Sequence, residues 1–255
     1  NVNLVLGPGM NIKRSPLCGR NFEYFSEDPY LSGKLAAAYV NGMQESGVGA
    51  CVKHFACNSQ EKRRQTSSSI IDERTLHEIY LRAYEIVVKT AKPAAIMASY
   101  NKINGVYACQ NKMLLTEILR KKWGYKGFVV SDWGACINPA KCLKAGLDLA
   151  MPDSHGYFGS LLNKALEEGE ITEKDLDTAN KRVLTAVNKL TESHTDLRID
   201  YIQQHETALA LAEESIVLLR NKGILPVKSD RVVIIGEFAK TMRIQGAGSS
   251  HVHTR

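Results

Sequence analysis

The sequence predicts an α/β fold on a parallel sheet, of the βα-barrel kind, and three observations carry that expectation. Apolar runs of strand length alternate with longer stretches of helical period. The strand-length runs are continuously apolar, as expected of strands covered on both faces. Polar residues follow several runs directly, and sites assembled from the C-terminal ends of many strands are what a barrel makes.

Strands are expected at 2–6, 50–55, 94–99, 128–131 and 148–151. Five βα units cannot close an eight-stranded barrel. The choice is an open doubly wound sheet or a TIM-like barrel whose N-terminal unit is missing, and the polar strand ends favour the second. The chain starts directly in a strand-like run without an initiator Met and stops after His253-Thr254-Arg255 with no element to seal it, so it reads as an internal piece of a longer chain.

Helices are expected between the strands. Asp28-Pro29 is a cap followed by proline at the first helical position, with Leu31, Leu35, Ala38, Tyr39 and Met43 forming one face until Gly47. Asp72 can cap a helix that turns Leu76, Ile79, Tyr80, Ala83, Ile86 and Val87 inward and stops before Pro93. Residues 113–123 carry Leu114, Ile118 and Leu119, and a helix starts near Pro139. Thr172 and Asp175 resemble a capping box before Leu176, Ala179, Val183 and Val187. These apolar faces are core. A polar stretch at 191–198 then breaks the pattern, an amphipathic segment covers 201–220, and a fresh apolar strand is expected at 231–236. The boundary falls near 193–196 or 228–230.

Composition bounds the function. A length of 255 residues with 44% hydrophobic and 24% charged residues is globular usage and excludes general disorder. The net charge of +6 is scattered apart from Lys62-Arg63-Arg64, which Glu61 and Asp72 flank, so nucleic acid is not an expected partner. No run approaches the ~18 apolar residues of a membrane span, and no membrane partner is expected. Six cysteines form no CxxC pair and no Cys/His spacing suited to zinc, so neither metal nor other cofactor is expected. Packed, reduced thiols favour a cytoplasmic setting.

Four constellations carry chemistry. Asp132, in Val130-Ser131-Asp132-Trp133, is a carboxylate where an apolar strand emerges: a nucleophile, a general base, a metal ligand, or simply the cap of the helix near Pro139. Lys53-His54 sits at another strand end, where adjacent side chains of a regular strand point to opposite sides, an obstacle that a bulge or cis bond would remove. Lys53 is a sugar-hydroxyl donor, a Schiff-base amine or a partner for a buried carboxylate. Arg20 and Arg64 lie on loops after strands, where a guanidinium can fork onto vicinal hydroxyls or hold a carboxylate ionised. Tyr100 begins the polar loop 100–105, which is otherwise just a capped loop.

Taken together, Gly19-Arg-Asn-Phe-Glu-Tyr-Phe-Ser-Glu-Asp-Pro29, Lys53-His54-Phe55, Asn58 to Arg64, Met97 to Gly105 and Val130-Ser-Asp-Trp133 closely resemble glycoside hydrolase family 3, in its β-glucosidase and β-xylosidase branch. The resemblance runs over most of the chain. It implies a partial catalytic barrel over 1–192, an interdomain linker and helix over 193–229, and the start of an α/β sandwich domain over 230–255, with 246–251 as its early loop. It places the nucleophile at Asp132. Arg20, Lys53, His54, Arg64 and Tyr100 fall on positions that bind the terminal sugar, Met97 and Trp133 line it, and a cis peptide joins Lys53 to His54. The N-acetylhexosaminidase branch is rejected, because Lys53-His-Phe-Ala-Cys-Asn58 replaces its Lys-His-Phe-Pro-Gly-His stretch.

The implied activity is a retaining, exo-acting β-glycosidase taking a β-glycoside or oligosaccharide, most simply a β-glucosidase. Xylosides and arabinosides, a class I aldolase using Lys53, and non-catalytic sugar binding are the alternatives. No glutamate of the chain matches the family's acid/base residue, so a missing segment or a second chain is expected to supply it. Lys53 and the arginines are expected to favour the ionised form of Asp132.

Overall fold

The computed structural model of the chain describes residues 2–192 and 199–244. They fall into two compact units that divide between residues 197 and 198.

The first unit is built on a parallel four-stranded sheet: β1 (Leu4–Val5), β2 (Gly49–Phe55), β4 (Ala95–Ala98) and β7 (Phe128–Ser131), in the order β1-β2-β4-β7. Register places Cys51 beside Ala95 and Ala95 beside Phe128, and one step up, Lys53 beside Met97 and Met97 beside Val130. The expected strand at 148–151 is reduced to one parallel bridge, Val130 to Leu149. Side chains take the hydrogen bonds that a longer ladder would need: Asp148 Oδ2 accepts from the Val129 amide (2.8 Å) and Ser131 Oγ from the Met151 amide (2.9 Å).

Three more short strands, β3 (Ser68–Ser69), β5 (Lys102–Ile103) and β6 (Val106–Tyr107), form a small separate sheet. The stretch read as a polar loop is therefore partly a hairpin. Asn104 and Gly105, both at positive φ, make its two-residue turn, the backbone that Asn-Gly supplies with least strain.

Helices start where the sequence caps them. In α1 (Pro29–Glu45), Asp28 accepts from the amides of Tyr30 and Leu31. Asp72 caps a second helical run, α2, over 73–90, whose Leu76–Tyr80 portion winds as a π-helix. A third, α3 (Met113–Lys122), is π-wound throughout and is capped by Asn111, while Asn138 caps α4 (Pro139–Ala145). The sequence reading did not anticipate α5 (Tyr157–Glu167). In α6 (Glu173–Glu192), Thr172 and Asp175 exchange the reciprocal bonds of a capping box.

One core layer lies between the sheet and the first three helices, where Val52, Phe55, Ile96 and Val129 meet Val40, Tyr84, Val87 and Leu119. The opposite face, Cys51, Ala95, Met97, Phe128 and Val130, packs against Leu4 and against Val183 and Ala186 of α6. Both faces are covered, which is why the strands read as continuously apolar.

The inward face of α1 differs from expectation. Leu31, Leu35 and Tyr39 are exposed, and Ser32, Gly33, Ala36, Ala37 and Val40 are buried. A Cβ on Gly33 would stand 2.8 Å from Ile86 and 3.1 Å from the Ala83 backbone, so small residues let α1 approach α2 closely. Ile79 is also exposed.

In the second unit, α7 (Tyr201–Ser215) is capped by Asp200 and ends before the expected residue 220, where the backbone turns extended at Ile216. Residues 231–236 form no strand among the described residues, although a sheet was expected to begin there. A strand exists only through its ladder, and no described segment pairs with this one. The expected loop at 246–251 and the first candidate boundary, 193–196, lie outside the described residues. No described helix is long and apolar enough to cross a membrane.

Candidate active site

The candidate residues meet at the C-terminal ends of the parallel strands. Asp132 follows β7 directly, and its backbone amide bonds the carbonyl of Ala98, so the residue is tied to the neighbouring strand. It does not cap α4, which removes the structural alternative for this carboxylate. The residue is only 7% exposed. Oδ1 accepts from the amide of Trp133 at 2.8 Å, whereas Oδ2 is buried without a hydrogen-bond partner. One oxygen is anchored and the other is bare.

His54 faces the bare oxygen, with Nε2 3.7 Å from Oδ2, too long for a hydrogen bond but close enough for electrostatic contact. Burial, and then the charges of Arg20, Lys53 and Arg64, hold the imidazole well below its ordinary range, so it is neutral at pH 7. Asn11 grips its backbone from both sides: its amide donates to the His54 carbonyl, and its oxygen accepts from the His54 amide, both at 2.8 Å.

The obstacle to Lys53 and His54 acting together is absent. The β2–β4 register shifts between Lys53 and Phe55, so strict alternation ends there; the Lys53-His54 peptide bond is cis. Lys53 Nζ sits 3.2 Å from Glu23, which also binds Arg20 Nε. Glu23 thus bridges two of the expected sugar-binding cations. Arg64 is held at 2.7 Å by Glu61, whose other oxygen accepts from Asn58 Nδ2, and its guanidinium lies over the Tyr100 ring, 4.4 Å from the centroid.

Burial is the largest influence on Asp132 and raises its pKa; the Trp133 amide, Arg20, Tyr100 and Arg64 pull the other way without cancelling it. The arginines favour the ionised form of Asp132, as expected, but the expectation fails in its net effect and for Lys53. Desolvation outweighs them, and Lys53 spends its charge on Glu23. The Tyr100 phenol is pushed up to about 12, first by burial and then by the Asp132 charge.

Met97 belongs to the buried inner face between Lys53 and Val130, and Trp133 is 42% exposed beside Asp132. Glu23, Tyr24, Asn11 and Glu61 were not singled out from sequence. The signal for two of them was present, since Arg20/Glu23 and Glu61/Arg64 are both opposite charges three residues apart. A cavity of about 590 Å³ lies elsewhere, at the opposite strand ends, against Val48, Ala94, Gly127 and Leu190. Among the described residues, no three His, Cys, Asp or Glu side chains gather as a metal site would require.

Comparison with known proteins finds close relatives over nearly the whole chain. The family model described as "Glycosyl hydrolase family 3 N terminal domain" matches residues 1–186. The chain is 51% identical over 255 residues to thermostable beta-glucosidase B of Acetivibrio thermocellus, covering 99% of this chain and 34% of that protein. It is 46% identical over 264 residues to an exo-alpha-(1->6)-L-arabinopyranosidase of Bifidobacterium breve, covering 98% of this chain and 35% of that one. Beta-glucosidase 3B from Thermotoga neapolitana, solved with alpha-D-glucose, superposes with a TM-score of 0.93 at 41% identity, covering 99% of this chain and 37% of that structure. The chain therefore spans about a third of the length of these relatives.

Proposed function

Because the chain belongs to glycosyl hydrolase family 3, we propose that it is the nucleophile-bearing part of a retaining, exo-acting β-glucosidase. The observation that carries the reading is the divided environment of Asp132: Oδ1 is fixed by a backbone N–H while Oδ2 is buried and unbonded. A carboxylate held this way keeps one oxygen fixed by the backbone and the other available for attack, with the Tyr100 phenol as its neighbouring side-chain donor.

Two carboxyl groups about 5–5.5 Å apart are needed for retention. In the first half-reaction Asp132 Oδ2 attacks C1 while the second group protonates the departing oxygen. In the second, that group takes a proton from water as the water attacks C1 and frees Asp132. Glu23 and Glu61 are engaged with cations, and the second carboxyl group would come from another segment of the polypeptide or from a second chain, as the family resemblance implies. Arg20, Lys53, His54 and Arg64 would hold the hydroxyls of the terminal sugar, with Tyr100, Met97 and Trp133 shaping its place. Residues 1–192 would form the catalytic barrel together with other chain segments, 193–229 the linker and helix, and 230–255 the start of the sandwich domain. Lys53 is bound to Glu23 and does not stand as a free amine, which leads away from Schiff-base chemistry.

A second reading keeps the mechanism and changes the sugar, since arabinopyranosidases are nearly as similar as β-glucosidases. An α-L-arabinopyranoside matches the ring stereochemistry of a β-galactoside and lacks the hydroxymethyl group. A panel of aryl glycosides given to the complete polypeptide separates the two. The expected result is a kcat/KM for the β-D-glucoside at least about tenfold above that for the β-D-xyloside, one missing hydroxymethyl group being worth about that factor, and further above that for the α-L-arabinopyranoside, whose C4 hydroxyl is inverted as well. Preference for the arabinopyranoside would establish the second reading, and turnover of none would refute both.

A further inference from the structure

Tyr24 is a buried polar group beside the catalytic cluster that the chemistry above leaves without a role. It is 4% exposed, and its ring meets the imidazole of His54 edge-on, with centroids 6.2 Å apart. Its hydroxyl lies 3.2 Å from His54 Nδ1 and 3.4 Å from the Asn58 carbonyl.

A neutral imidazole carries one proton, and its two positions have different consequences here. With the proton on Nδ1, the ring would donate to Asn11 Oδ1 at 3.3 Å, an oxygen already accepting from the His54 amide. Nε2 would then aim a lone pair at Asp132 Oδ2, placing two acceptors face to face in a buried site. With the proton on Nε2, the Tyr24 hydroxyl donates to Nδ1, and the Nε2–H points towards the bare carboxylate oxygen. The second arrangement leaves Nδ1 3.3 Å from Asn11 Oδ1, but that is a neutral amide oxygen and the Tyr24 hydroxyl supplies Nδ1 with a donor, whereas the first sets a lone pair against a buried carboxylate, the costlier conflict.

We propose that Tyr24 is a positioning residue, whose hydroxyl donates to Nδ1 of His54 and fixes the tautomer that presents Nε2–H to Asp132 and the sugar. The proposal deepens the glycosidase reading and rests on it for the sugar. His54 then serves the site as a donor. It steadies the anionic oxygen before attack and offers its proton to a sugar hydroxyl, while Asn11 fixes its backbone.

The test replaces Tyr24 by Phe in the complete polypeptide, keeping the ring and removing only the hydroxyl. ¹⁵N NMR with labelled histidine reads the two ring nitrogens of His54, assigned by comparison with His54→Gln. In the parent, Nε2 is expected to be protonated and Nδ1 bare. In Tyr24→Phe the Nδ1–H form should appear, with kcat/KM for an aryl glycoside falling about tenfold, as for one lost buried hydrogen bond. A parent carrying its proton on Nδ1, or a folded Tyr24→Phe protein with unchanged ring signals, would overturn the proposal. The tautomer is read without turnover, so a protein inactive on every glycoside that still shows the Tyr24-dependent shift would support the proposal's structural part and count against the glycosidase reading alone. If Tyr24→Phe fails to fold, the proton position in the parent decides.

Discussion

Asp132→Asn is expected to remove turnover of the complete polypeptide while leaving its fold no weaker at neutral pH. Loss of the attacking oxygen should lower kcat by roughly 10⁴- to 10⁶-fold, the range found when a nucleophile or a partner that acts with it is removed from a hydrolase. Sugar binding should persist, because Arg20, Lys53, His54 and Arg64 are untouched and the Asn oxygen can still accept from the Trp133 amide. Stability follows from the direction of the pKa shift. Burial raises the Asp132 pKa in the fold, so the folded state holds this proton more tightly than the unfolded chain does. The stabilisation from protonated Asp132 is fully present below the unfolded value, about 3.9, and is lost as pH rises through the folded value. At pH 7 the charge opposes folding. Asn carries none, so its denaturation midpoint should match or exceed the parent's at pH 7, and the advantage should shrink as pH falls towards about 4. A variant much less stable than the parent at pH 7 would contradict this view of Asp132.

Asp148→Asn should act on stability instead. The Asp148 side chain is completely buried and binds Arg120 at one oxygen and Arg182 of α6 at the other, at 2.9 Å for the second. It also accepts from the Val129 amide. Arg120 is itself 9% exposed and donates to the carbonyls of Gly127 and Gly146. One carboxylate therefore ties the sheet, α3 and α6 together. Burial pushes its pKa up even against both arginines, and pushes that of Arg120 down, so the charges are retained at a desolvation cost that their mutual attraction offsets. Removing the anion alone leaves Arg120 buried and unpaired, at a cost of about 3–5 kcal/mol. The denaturation midpoint of the complete polypeptide measures this, and an unchanged midpoint would show the cluster to be solvated in solution.

Much of this was legible in the sequence, for identifiable reasons. Strand positions could be read because strands covered on both faces are continuously apolar, and residues 128–131 match expectation to the residue. Helix starts could be read because a cap is local chemistry: Asp28, Asp72 and Thr172 each bond amides within three residues. Tyr100 and Asp132 directly follow apolar runs and Lys53 and His54 lie near the end of one, whereas Arg20 and Arg64 stand on longer loops and were tied to the same sheet end only by the family resemblance.

Pairings between distant segments were hidden. The buried face of α1 is made of Ser32, Gly33, Ala36 and Ala37, small residues that carry little hydrophobic signal and matter only because α2 comes close. Asp148 reads as the start of a strand, and only the fold brings Arg182 to it from 34 residues away. The pKa direction of Asp132 also escaped, since charges can be counted in a sequence but desolvation cannot.

Trapping the reaction between its two steps tests the role of Asp132 most directly. A 2-deoxy-2-fluoro-β-glucosyl fluoride should inactivate the complete polypeptide, and mass spectrometry of the tryptic peptide spanning 127–141 should place one fluoroglucosyl group on Asp132. Inactivation with the sugar on any other carboxylate, Glu23 and Glu61 included, would show that Asp132 is not the nucleophile.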